Sequence, residues 1–103
     1  MSKLIPGATT TDSFVLPVDA SNVRSLSIDY SQRGAVLFSK STEDCKLEGT
    51  RGTVELTQED TLKFTNGIEG SVQIVLVTFG GEVIPSDPVT FPVGTRLNRE
   101  AME

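Results

Sequence analysis

Nucleophilic and acid–base chemistry in proteins runs most often through histidine, and this chain has none. The ordinary Ser-His-Asp and Cys-His arrangements are therefore closed to it. What remains is the run Ser39-Lys40-Ser41, the acid pairs Glu43-Asp44 and Glu59-Asp60, the scattered Asp12, Asp19 and Asp29, and one thiol, Cys45. A Ser-Lys nucleophile needs its lysine buried beside the serine, whereas the polar stretch around Lys40 predicts a solvated ammonium. Paired carboxylates act as acid and base only where apolar surroundings raise one pKa, and both pairs fall in predicted turns with nothing apolar beside them. Cys45 lies among Glu43, Asp44 and Lys46; acidic neighbours disfavour its thiolate, which predicts an inert thiol at a strand edge or in a loop.

The other site chemistries fare no better. One cysteine without histidine cannot build a zinc site, and the spaced aspartates of a calcium loop are missing around Asp12, Asp19 and Asp29. Gly49-Thr50-Arg51-Gly52-Thr53 lacks the Lys-Ser/Thr ending of a phosphate loop and precedes a strand, so it reads as a turn. No cofactor is expected. Sugar-binding faces need exposed Trp or Tyr platforms; there is no Trp, and Tyr30, the only Tyr, shares the inward phase of Leu26 and Ile28. The phenylalanines at 14, 38, 64, 79 and 91 read as core, one to a strand.

A formal net charge of −5 and a pI near 4.6 argue against nucleic acid or an anionic membrane as partner, and the nine basic residues form no cluster. Mean hydropathy is −0.07, and no apolar run approaches the ~18 residues of a membrane span. The opening Met1-Ser2-Lys3-Leu4-Ile5-Pro6-Gly7 lacks the apolar stretch of a signal peptide, which leads to the expectation of cytoplasmic synthesis. With 103 residues the chain suits one domain, burying roughly 65% of its unfolded surface without needing disulfides, for which a lone cysteine offers no partner.

The elements that would position these residues are almost all strands. Leu26, Ile28 and Tyr30 alternate with Ser25, Ser27 and Asp29, a half-buried strand. A turn over Ser31–Gly34 leads to Ala35-Val36-Leu37-Phe38, completing a hairpin. Val72–Phe79 is apolar in both phases save Gln73 and Thr78, which predicts a central strand covered on both faces. Gly80-Gly81 turns it into Glu82-Val83-Ile84. Phe14–Val18 reads as a first strand that Pro17 pushes to an edge, and Pro85, Pro88 and Pro92 mark the last segment as an edge too. Residues 39–52 suggest an exposed loop or ragged edge hairpin before Thr53–Leu56. Thr57 with Asp60 three residues on matches a capping box, although the short space before Thr61–Phe64, taken as a strand, favours a tight turn. About seven short strands at 8–12-residue spacing predict an all-β fold: one Ig-like or jelly-roll-like β-sandwich over residues 13–95. Its expected core is Leu26, Ile28, Val36, Phe38, Leu56, Leu62, Phe64, Ile74, Leu76 and Phe91. Residues 1–12 read as an N-terminal arm and 96–103 as a polar C-terminal tail, with Leu4-Ile5-Pro6 as the arm's apolar anchor for a protein partner.

Leu56-Thr57-Gln58-Glu59-Asp60-Thr61-Leu62-Lys63-Phe64 followed by Val72-Gln73-Ile74-Val75-Leu76 resembles small β proteins encoded among bacteriophage and prophage virion genes, and Ile28-Asp29-Tyr30-Ser31-Gln32 fits the same pattern. The likeness spans roughly residues 14–93 and rests on fold-like rather than chemical motifs. It brings no catalytic residues. It implies a structural protein of the virion, contacting capsid, neck or tail proteins and possibly itself, with no small-molecule substrate. The expectation is thus a non-enzymatic assembly protein (capsid decoration or cement, or a neck or tail component); the alternative is a stand-alone sandwich that binds carbohydrate or protein.

Overall fold

Strand alternation organises the molecule, and its clearest case is the long strand at the centre. The computed structural model describes residues 3–95, so the expected tail 96–103 lies outside the described residues. The strands are β1 (Thr10–Val15), β2 (Val23–Gln32), β3 (Ala35–Ser41), β4 (Cys45–Glu48), β5 (Arg51–Leu56), β6 (Gly70–Thr78), β7 (Val83–Pro85) and β8 (Val89–Phe91), with one helical turn, α1 (Gln58–Thr61), between β5 and β6. Three strands in the order β1-β5-β4 face a wider sheet in the order β3-β2-β6-β7; β8 joins the same sheet by pairing with β6. Every pairing between these strands is antiparallel. No helix among the described residues is long and apolar enough to cross a membrane.

In β2 the even-numbered side chains from Leu26 to Gln32 point inward and are buried, as the alternation predicts. Opposite them on β6 stand Leu76, Ile74 and Val72. Arg33 (φ 52°) and Gly34 (φ 77°) both take the left-handed conformation in the two-residue turn to β3, the geometry that matches the twist of a hairpin. Tyr30, wholly buried, stacks on Phe38 at 4.9 Å between ring centroids; Phe64 meets both rings edge-on, and Phe91 meets Phe64 at 5.7 Å.

Two cross-strand pairs set an aromatic ring over a glycine. Phe14 faces Gly52 in the small sheet and Phe91 faces Gly70 in the large one, and a Cβ on either glycine would run into the ring. Each glycine is thus the space its partner's ring occupies.

Several expectations are corrected. The N-terminal segment is no free arm: Leu4 forms a parallel bridge with Val93, its N–H donating to Pro92 O at 2.9 Å and its carbonyl accepting from Gly94 N–H at 2.8 Å. The Gly7 N–H donates to Thr61 Oγ1, which itself donates to Ala8 O, and β1 begins inside the expected arm. Burial of apolar side chains and satisfaction of backbone groups together outweigh the ordering entropy that small polar residues could not offset alone. Thr61–Phe64 is not a strand. Thr57 and Asp60 cap each other reciprocally and close a true helical turn. Phe79 (68% exposed) and Val36 (59%) lie outside the core, since Phe79 follows the last residue of β6, at the turn, and Val36 follows a shift of register after Tyr30. β6 is central, flanked by β2 and by β7 and β8, yet most of its side chains are only half-buried, so its second face is not covered.

Gln32, expected within the turn, is instead a buried strand end whose amide ties down the 62–69 connection. It donates to Thr65 O and Ile68 O and accepts from Thr65 N–H. Replacing it with Ala would strand these backbone groups, and Gln32→Ala is expected to cost roughly 1–3 kcal/mol in urea unfolding. Leu4→Asp should lower the melting temperature by placing a charge in the core; an unchanged melting curve would restore the segment to a free arm.

Candidate functional site

The residues singled out for chemistry are dispersed, and strand geometry is the reason. Ser39, Lys40 and Ser41 are consecutive on β3, so the lysine points to the opposite face from the two serines. Lys40 Nζ lies 2.7 Å from Asp60 Oδ2, while the hydroxyls donate to Asp29 (from Ser39, 2.6 Å) and Asp44 (from Ser41, 3.2 Å). Desolvation raises the Asp60 carboxyl, but the Lys40 ammonium and the Thr57 bonds outweigh it and hold the group below the usual aspartate range. Asp44 accepts from the Ser41 N–H, which draws its pKa down. Asp19 does the same for Ser21 at the mouth of a short 3-10 turn, with the same effect. Each acid therefore closes a turn or an ion pair.

Among the described residues, no group of three or more His, Cys, Asp or Glu side chains comes together as a metal site. Asp12, Asp19 and Asp29 have separate partners: the Tyr30 hydroxyl, Ser21 and Ser39. Cys45 opens the edge strand β4, half-buried; desolvation and then Asp44 push its thiol up, in keeping with an inert group. Gly49, with φ 58°, turns β4 into β5, and Gly52 lies inside β5.

One polar contact stands apart because it joins the two sheets. The Tyr30 hydroxyl on β2 donates to Asp12 Oδ2 on β1 at 2.7 Å, deep between the layers. Burial raises the Asp12 carboxyl by more than the tyrosine bond lowers it, and desolvation together with the Asp12 charge pushes the Tyr30 phenol far above its ordinary value. In the sequence Asp12 reads as a scattered acid of the expected arm. Continuing the alternation of Phe14 and Leu16 backward by two residues would have placed it inward.

Beside this pair the sandwich is open. Two adjoining cavities of about 260 and 300 Å³ run between β1 on one side and β6, β7 and β8 on the other. Phe14, Val15, Ile74 and Ser86 line both; Leu16 and Ile84 mark one end, Asp12 and Val89 the other. Asp12 is the only ionisable carboxylate or cation on the walls. Leu4, Ile5 and Pro6, the expected partner anchor, are not part of this opening. Leu4 and Pro6 are buried in the fold and Ile5 packs near Gly94, so the two buried side chains have no surface to offer a partner.

No family model and no curated protein matches the chain. Solved structures do match its fold. CopC from Methylosinus trichosporium OB3b superposes with a TM-score of 0.54 at 14% identity, over 94% of this chain and 86% of that one. The extracellular domain of mouse leukocyte-associated immunoglobulin-like receptor 1, a strand-swapped dimer, gives 0.50 at 13% identity over 89% and 85%. An engineered protein gives 0.57 at 18% identity over 93% of this chain but only 18% of its own. These likenesses, with the two antiparallel sheets, make the chain an Ig-like β-sandwich.

The raised Asp12 pKa has a definite sign. The folded chain holds that proton more tightly than the unfolded chain, so the associated stability is complete below the ordinary aspartate value of 3.8 and is lost as pH climbs through the raised value. Asp12→Asn keeps an acceptor for the Tyr30 hydroxyl and removes the titration. Relative to the parent, its stability should gain as pH climbs through that window and should equal or exceed the parent's at pH 7 in urea unfolding; a difference between the two that does not change with pH would contradict the assignment.

Proposed function

We propose that this protein works without catalysis, as an Ig-like module that makes protein–protein contacts, and that its setting is the bacteriophage virion. The observation that carries the first half is the contrast between its polar and apolar surfaces. Lys40, Asp19, Asp29, Asp44 and Asp60 are held in caps, turns and an ion pair, while among the described residues an apolar opening between the sheets has no covering element. An open apolar surface of that kind is a feature of interaction sites. The Ig-like fold is compatible with this reading, and the receptor domain among its structural neighbours is itself a strand-swapped dimer. The virion setting rests on the resemblance of residues 14–93 to small phage structural proteins, and within it a capsid, neck or tail protein is the partner.

The carbohydrate alternative loses its one candidate platform, because Tyr30 is wholly buried. Phe79, at the end of β6, is the exposed aromatic among the described residues and has no second ring beside it there.

The test is fractionation of lysate from the source cells on a density gradient, probing for this chain with an antibody. Co-migration with particles at a fixed copy number per particle is the expected result. Recovery only among free soluble proteins would remove the virion setting, and binding to a glycan array would remove the protein–protein reading.

A further inference from the structure

The two sheets differ in width. The large sheet is four strands wide, because β7 and β8 lie end to end along one edge of β6, whereas the small sheet has only three strands. In the constant-type Ig arrangement the corresponding small sheet has four strands, with an A strand outside the one that β1 represents. The opening described above lies where that strand would be: beside β1, over the inward side chains of β6 and β7.

The backbone of β1 is prepared for such a neighbour. The Leu16 N–H donates to Thr50 O at 2.7 Å, which makes that cross-strand pair a hydrogen-bonded one. By the two-residue alternation of antiparallel ladders, the backbone groups of Phe14 and Asp12 also point at β5, and those of Thr11, Ser13 and Val15 point away from it. β1 pairs with no other described strand. Val15, at 81% exposed, and Val89, at 50%, flank the opening as uncovered apolar side chains.

Charge selects the occupant. Asp12 is the one charged side chain on walls that are otherwise apolar or hydroxylic, and among the described residues its carboxyl is hydrogen-bonded by the Tyr30 hydroxyl. A second copy of a chain carrying −5 would bring more acid to it. An extended segment with apolar side chains alternating inward, and a Lys or Arg among them opposite Asp12, would cover the apolar walls and neutralise the carboxylate together.

We propose that the free edge of β1 and the adjoining groove accept one extended strand of a partner protein, apolar in its inward phase and carrying a basic residue that pairs with Asp12. This deepens the protein–protein reading above and rests on it. Thr11, Ser13 and Val15 supply the main-chain bonds. Phe14, Ile74 and Val89 supply the apolar contacts, and Asp12 supplies the discrimination.

The probe is the synthetic peptide Val-Thr-Lys-Thr-Ile-Thr-Val, compared with versions carrying Leu or Glu in place of its lysine, titrated into the ¹⁵N-labelled full chain. The lysine peptide should bind at least tenfold tighter than the glutamate one, with amide shifts concentrated at Thr11, Ser13, Val15, Ser86, Asp87 and Val89. Asp12→Asn should erase the preference for lysine over leucine while leaving the fold intact by its own amide spectrum. Ser13→Pro, which removes one outward N–H without touching the β5 ladder, should weaken all three peptides about tenfold. Absence of binding at millimolar peptide, equal affinity for lysine and glutamate peptides, or shifts centred elsewhere would overturn the proposal. So would a dimer joined through β1 in light scattering, since the edge would then belong to a second copy. If the chain co-migrates with particles and Ser13→Pro does so equally well, the strand site fails and the interaction reading stands. If the wild-type chain binds no partner at all, the broader reading fails.

Discussion

Tyr30 is the constraint on which the rest of this sandwich depends. Its ring occupies the centre of the large sheet's inner face, stacked on Phe38 and met edge-on by Phe64, and its hydroxyl reaches across the layer gap to Asp12. A buried phenol needs an acceptor, and a buried carboxyl needs a donor; the pair answers both demands with one bond. That bond also sets the depth of β1 against β2. The aromatic chain from Phe38 through Phe64 to Phe91 then carries the packing from the β3 side of the sheet to β8.

From this centre the two sides of the sandwich develop differently. On the β3–β4 side the polar groups are closed in pairs: Lys40 on Asp60, Thr42 Oγ1 accepting from the Leu26 N–H, Asp44 capping Ser41. The ammonium groups of Lys40 and Lys63 also lie over the Phe38 ring, at 5.8 and 5.4 Å from its centroid. On the β1–β8 side the ladder stops one strand short, and the polar chemistry there is the Asp12–Tyr30 bond and the Ser86 bonds to Ile74. Pro85 and Pro88 keep β7 and β8 short, and Ser86 holds the gap between them to β6 with its hydroxyl and its N–H. Among the described residues, polar side chains close in pairs on one flank, and the other carries the opening beside β1.

Much of this architecture is legible in the sequence. The alternation of Leu26, Ile28 and Tyr30 marks β2 and its inward face, and the turn expected over Ser31–Gly34 marks the hairpin, tightened in the structure to Arg33 and Gly34. The first strand, expected over Phe14–Val18, is an edge strand but runs over Thr10–Val15, with Pro17 beyond its end. What escaped has identifiable causes. Leu4, in a segment of small polar residues, is buried because β8 runs on into residues that hydrogen-bond it, and a contact between residues 89 positions apart leaves no local pattern. The short space before Thr61 argues against a helical turn at Gln58–Thr61, yet the reciprocal cap of Thr57 and Asp60 closes one in four residues. Val36 and Phe79 look like core by type, but a register shift and a strand end decide their exposure, and neither is written in composition. The opening beside β1 was invisible for a deeper reason: it depends on how many strands each sheet has, which alternation does not specify.

Among the described residues, the outer edge of β1 has no strand beside it. Native-state amide hydrogen exchange on the purified monomer tests it most directly, since neighbouring residues of one strand serve as each other's controls. Slow exchange at Phe14 and Leu16 with fast exchange at Thr11, Ser13 and Val15 is the pattern the account predicts. Equal protection of both sets would mean that the edge is already covered, and the incomplete sandwich would have to be abandoned.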